Sequence, residues 1–288
     1  MRIKKLLLGY ILFAVLSGLA LAVWRTVLML RYYDPYNNEY TIEAAVPLKS
    51  MGFILFFIFA VLATSAIILV GYEFKAYAPS EHQSSVFTSA LFGFVFLAIG
   101  VFVSLYLQTI LADQAHPLYR YMQLIAYALL FLCAAYFILC AAGNPRFEQS
   151  KKLLSLIPPI WCVAFLVSSY LDPMYNYKDY NHILCNVAIS ALAIFLLYDS
   201  KMVATGKATL AQFVFALISL VASMVYMLPT FVLLAYWELS SGLNQIFEAT
   251  LLGALFYVAA CLRNLCKTVC VLEKKKPEEA EQKKADAV

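Results

Sequence analysis

The chain has 288 residues, 64% of them hydrophobic and 13% charged, with a formal net charge of +4. Soluble domains carry about 25% charged residues, so a soluble fold could not hide this much apolar surface. The surplus of bases gives no case for nucleic acid, because Lys and Arg are scattered between apolar stretches rather than clustered with exposed aromatics.

Eight apolar stretches succeed one another, at residues 6–30, 51–72, 86–107, 122–142, 153–171, 183–198, 210–236 and 243–262. Each approaches the roughly 20 residues that carry a helix across about 30 Å of hydrocarbon. Backbone groups in lipid must be satisfied within the segment, and none of the stretches alternates as barrel strands do. The expected fold is therefore all-α: a polytopic membrane helix bundle of eight transmembrane helices in a lipid bilayer. The segments between the stretches are too short to fold separately, so residues 1–272 are expected to form one membrane domain.

The first stretch follows a basic segment and contains Ala20-Leu21-Ala22, which has the small-x-small form of a signal-peptidase site. Cleavage there would leave seven helices. Apolar residues resume beyond Arg25 as Thr26-Val27-Leu28-Met29-Leu30, which favours a retained helix. The fifth stretch carries Pro158-Pro159 and the seventh carries Pro229, each expected to break or kink its helix. The tail over residues 273–288 is mixed in charge and poor in apolar residues, and is expected to be a disordered cytoplasmic segment.

Counted by side, 16 of the 21 Lys and Arg fall with the amino terminus. The positive-inside rule then predicts both termini to be cytoplasmic, in a multi-pass protein of the cell membrane. None of the seven cysteines falls in an outer segment, so there is no disulfide framework to infer. The outer segments are rich in Tyr, as an interfacial aromatic belt requires, and such a surface also suits a lipid, a sugar or a membrane-protein partner.

Three short matches recur in the same order four stretches apart. Lys4-Lys5-Leu6-Leu7 matches Lys151-Lys152-Leu153-Leu154, Asp34-Pro35 matches Asp172-Pro173, and Tyr72-Glu73-Phe74-Lys75 matches Tyr198-Asp199-Ser200-Lys201. They suggest a 4+4 parallel repeat, although turn and interface chemistry produces the same matches without duplication.

Catalytic signatures are missing: there is no His-Glu-x-x-His, Gly-x-Ser-x-Gly or complete phosphate loop. His82, His116 and His182 are dispersed, so neither a metal nor a cofactor is expected. No carboxylate falls near the middle of any stretch, which argues against proton or sodium coupling. The candidate ligand-binding residues are Arg25, Glu248, His182 and Asn186. Arg25 and Glu248 each lie about 7 Å inside the outer boundary at 1.5 Å per residue, and His182 and Asn186 share a helix face at similar depth. Together they predict an outward-facing polar pocket. The expected protein is non-enzymatic and permease-like, handling a small molecule or lipid; the alternative is a sensor or scaffold subunit that binds a partner through its helices and Tyr-rich loops.

Overall fold

The computed structural model describes residues 2–34, 39–69, 72–75, 83–105, 117–171, 180–237 and 249–271. Its helices are α1 (Arg2–Tyr32), α2 (Ala45–Ile68), α3 (Gln83–Leu105), α4 (Pro117–Ala142), α5 (Glu148–Leu154), α6 (Ile157–Leu171), α7 (Tyr180–Thr205), α8 (Leu210–Trp237) and α9 (Thr250–Thr268). Because α5 and α6 make one interrupted span, these helices form 8 segments long and apolar enough to cross a membrane. The protein is an all-α helical bundle, and eight such helices fit a multi-pass membrane protein.

Helix ends differ from the sequence expectation in ways that matter. Hydropathy places the sixth stretch over residues 183–198, yet α7 runs through Asp199 to Thr205. At 1.5 Å per residue α7 is about 39 Å long, close to the 40–45 Å of a bilayer with its headgroup layers. Apolar length alone therefore underestimates a helix whose ends project among headgroups. The eighth stretch shifts for the same reason, with α9 ending at Thr268 rather than at 262.

Short ladders mark the two ends of the bundle. At one end, β1 (Tyr33–Asp34) pairs with β2 (Glu39–Tyr40). At the other, β3 (Tyr72–Lys75) lies between β4 (Lys207–Ala208) and β5 (Val269–Val271), antiparallel to both. Lys4 Nζ donates to the Lys267 carbonyl at 2.9 Å, so the start of α1 and the end of α9 lie at this same end.

Two features expected of a repeat differ between the halves. Tyr72-Glu73-Phe74-Lys75 forms strand β3, whereas its partner motif lies inside helix α7. Nor does the packing repeat: α7 and α8 are close neighbours, but their counterparts α2 and α3 are not among the packed pairs of the described residues. Asp172-Pro173 lies outside the described residues. The matches that remain are those that helix ends produce anyway.

Helix α8 is the hub, packed by α1, α7, α9 and α2, while α3, α4 and α6 form a second group joined to it by α9 packing on α3 and by α7 packing on α6. Between the groups lies an aromatic core. Phe92 and Phe137 approach to 4.5 Å between centroids, and Trp161 meets Phe96 edge-on at 5.2 Å. By contrast Phe53, Phe56 and Phe57 of α2 are 76%, 73% and 68% exposed, a surface that suits lipid. Gly253 lets α9 reach this core, since a Cβ there would stand 2.6 Å from Phe92 Cδ2. The ring has little room to yield between Phe96, Phe137 and Tyr257. Gly253→Ala is therefore expected to destabilise by about 1–3 kcal/mol, the usual cost of overpacking. The check is a lower thermal midpoint of the purified protein in detergent; an unchanged midpoint would mean that α9 can back away freely.

Candidate functional site

Two buried polar centres lie along the α7–α8 hairpin, one near each end. The first is built on a proline. In a helix the carbonyl of residue i accepts from the N–H of residue i+4, so Pro229, which has no N–H, leaves the Val225 carbonyl without its partner. Arg25 of α1 supplies the missing donor. Its Nη1 donates to the Val225 carbonyl at 2.9 Å and to the Tyr226 carbonyl at 2.6 Å. Its Nη2 donates to Asn181 Oδ1 of α7 at 2.8 Å, an oxygen that also accepts from the Tyr40 hydroxyl at 3.1 Å. The guanidinium lies over the Tyr226 ring, 5.0 Å from its centroid, which adds a cation–π attraction. Arg25 is 0% exposed, and its Nε has no hydrogen-bond partner.

The same device recurs at the opposite end. Pro159 leaves the Ser155 carbonyl without a helical donor at the break between α5 and α6. The Ser200 hydroxyl of α7 lies within hydrogen-bond reach of it, its one proton shared with the Leu196 carbonyl of its own helix at 2.8 Å. Pro158 and Pro159 themselves sit in the first turn of α6, where a missing N–H costs little. In both places a proline frees a carbonyl and a side chain of another helix takes it, which is how membrane bundles tolerate helix breakers.

The second centre is Asp199, 2% exposed. It lies on the buried stripe Leu192, Phe195, Asp199 and Met202 of α7, spaced three and four apart. Gly206 ends that helix with φ +68, the left-handed geometry that favours glycine, and turns the chain toward α8. Thr209 then caps α8, its hydroxyl accepting from the Gln212 N–H at 3.3 Å. This cap sets Gln212 in the first turn, where its Nε2 donates to Asp199 Oδ1 at 3.0 Å. From α9, the Tyr257 hydroxyl donates to Asp199 Oδ2 at 2.6 Å. A buried carboxylate thus joins α7, α8 and α9, with a donor on each oxygen.

Between the centres, α8 carries a polar stripe. Gln212, Ala216, Ser219, Ser223 and Tyr226 recur at spacings of four, three, four and three, so they share one face. Ser219 and Ser223 are 0% and 1% exposed, and their hydroxyls have no hydrogen-bond partner.

Among the residues expected to form an outward pocket, Arg25 is buried as described, with Asn181 as its α7 partner. Asn186 is buried and His182 partly buried on the same helix. Glu248 lies outside the described residues, and so do His82 and His116. Asp199 escapes a hydropathy reading because the apolar stretch ends one residue before it. The signal lies in the period: the apolar stripe of α7 runs straight through Asp199. No group of three His, Cys, Asp or Glu suited to a metal occurs among the described residues. Comparison with protein-family models, with curated proteins and with solved structures finds no match.

Proposed function

We propose that the protein is a permease-like, non-enzymatic protein of the cell membrane that moves a small molecule, with Asp199 as the group that takes up and releases a proton. The observation that carries this reading is the carboxylate itself, buried in a membrane helix and held by donors from two other helices. No carboxylate lies near the middle of an apolar stretch, which argues against coupling at mid-membrane. Asp199 lies nearer the end of α7, but its burial there is expensive, and buried ionisable residues of this kind mark ion or substrate pathways. The unpartnered hydroxyls of Ser219 and Ser223 extend the polar face of α8 from Gln212 toward the Arg25 end. Arg25 takes a structural part in this reading, bracing the proline-broken turn of α8.

The test is proton flux into sealed vesicles that carry the purified protein and a trapped pH dye. Wild type should dissipate an imposed pH gradient faster than empty vesicles, Asp199→Asn should return to the empty-vesicle rate, and Asp199→Glu should retain part of the flux. If wild type matches empty vesicles, coupling through Asp199 is wrong. A sensor or scaffold subunit would then be the better reading.

Orientation belongs to the same proposal. In this reading the eight spans among the described residues put both chain ends on one side, and the excess of Lys and Arg there supports that side being cytoplasmic. Reporters fused at residue 288 and inserted after residue 36 should read opposite sides of the membrane, with the carboxyl-terminal one inside. The reverse assignment would overturn the orientation.

A further inference from the structure

Helices α1 and α9 both pack on α8 and only lightly on each other, which leaves a groove between them of about 480 Å³. Lys4, Arg263 and Lys267 line its upper part at the end of the bundle that carries the β3–β4–β5 ladder. Leu8, Ile11 and Ala259 line its floor, one to two turns deeper. The spacing explains the layering. Lys4, Leu8 and Ile11 fall on one face of α1 at steps of four and three, and Ala259, Arg263 and Lys267 fall on one face of α9 at steps of four. The Lys4 ammonium is fixed across the gap by its bond to the Lys267 carbonyl. No carboxylate lines the groove, and Arg263 and Lys267 have no acidic partner among the described residues.

We propose that this groove binds an anionic phospholipid, its phosphate between Arg263 and Lys267 and the upper part of one acyl chain against Leu8, Ile11 and Ala259. The charge order matches the ligand: cations at headgroup depth, apolar side chains below, and the small Ala259 making room for the chain. The volume falls within the roughly 300–1,000 Å³ typical of small-ligand sites. The inference is independent of Asp199 and of transport, because it rests on a different helix pair and a different surface.

The experiment compares retention of dioleoylphosphatidylglycerol and dioleoylphosphatidylcholine by the purified full chain, counted as bound lipid by native mass spectrometry after exchange into neutral detergent. Wild type should retain the glycerol lipid selectively. Arg263→Gln with Lys267→Gln should lower that retention roughly tenfold, since each base near the surface contributes appreciably to anionic-lipid affinity. Lys201→Gln with Lys207→Gln removes the same charge elsewhere at that end and should change retention less than about twofold. Ala259→Trp fills the groove without touching a charge and should also abolish selective retention. Equal loss in the two double variants would reduce the effect to general surface charge and overturn the proposal. So would undiminished retention in Ala259→Trp, or displacement of the lipid by inorganic phosphate at matched concentration. Should the Arg263 and Lys267 double variant fail to fold, Ala259→Trp and the single Arg263→Gln variant decide the question in its place: loss of selective retention in both supports the groove, and full retention in either overturns it.

Discussion

Arg25→Leu is expected to lower the stability of the folded protein by about 2–4 kcal/mol, because it leaves the Val225 carbonyl with neither a helical nor a side-chain donor. The Tyr226 carbonyl fares better, since the Thr230 hydroxyl still donates to it at 2.8 Å. Some of the loss is offset, because a charge no longer has to be held out of water. The informative variant is therefore Pro229→Ala, which restores an N–H at position 229 for the Val225 carbonyl. Combined with Arg25→Leu it should recover about 1 kcal/mol, one ordinary buried hydrogen bond. In the wild-type background the same change competes with Arg25 for that carbonyl, and it should be neutral or destabilising. Thermal unfolding of the four proteins closes the cycle. A Pro229→Ala effect of the same sign and size in both backgrounds would mean that the arginine and the proline are not energetically linked.

The second large effect is expected at Asp199. Asp199→Leu strands two buried donors at once, the Tyr257 hydroxyl and the Gln212 amide, at about 1–3 kcal/mol each. Relief of the carboxylate's own desolvation reduces the net loss to about 2–4 kcal/mol. Tyr257→Phe removes only one donor and should cost less, about 1.5–3 kcal/mol for a bond to a charged acceptor. The double variant should then be less harmful than the two single changes added together, because the first removes what the second would strand. Strict additivity in unfolding midpoints would show that the Tyr257–Asp199 bond contributes nothing to stability.

Much of the architecture is legible in the sequence because hydrophobic length is a one-dimensional property. Each span announces itself as an apolar run, and the all-α assignment follows from the need to close backbone hydrogen bonds within the segment. Helix ends are less legible. Leu69 closes α2 and Thr205 closes α7 for reasons of turn geometry and headgroup solvation, which hydropathy does not encode. The polar centres are legible only in part. Arg25 stands out as a charge inside a span, and Pro229 as a breaker, but their connection depends on which helix packs on α8. That choice is made by surface shape, as where Gly18 of α1 lies 3.1 Å from Met224 Sδ through its would-be Cβ. Asn181 is hidden behind its neighbour His182, since a sequence does not say which of two adjacent polar residues turns inward. Asp199 is hidden by a hydropathy boundary that falls one residue early. The proline rule narrows such a search: a proline at i names the carbonyl at i−4 as needing a donor, here Val225 and Ser155.

The Arg25–Val225 bond spans 200 residues of sequence, and this has a consequence for synthesis. At about 5–20 residues per second, α8 leaves the ribosome roughly 10–40 s after α1. Throughout that interval the guanidinium has no carbonyl to hold and cannot rest at its final depth. It lies about 10 Å from the Tyr32 end of its helix, at 1.5 Å per residue, within reach of the headgroup layer by extension of the side chain. The first helix is thus expected to enter the membrane shallow, with Arg25 turned up toward water, and to sink into register only when the proline-broken turn of α8 arrives to receive it. Helix α8 decides when α1 is finished.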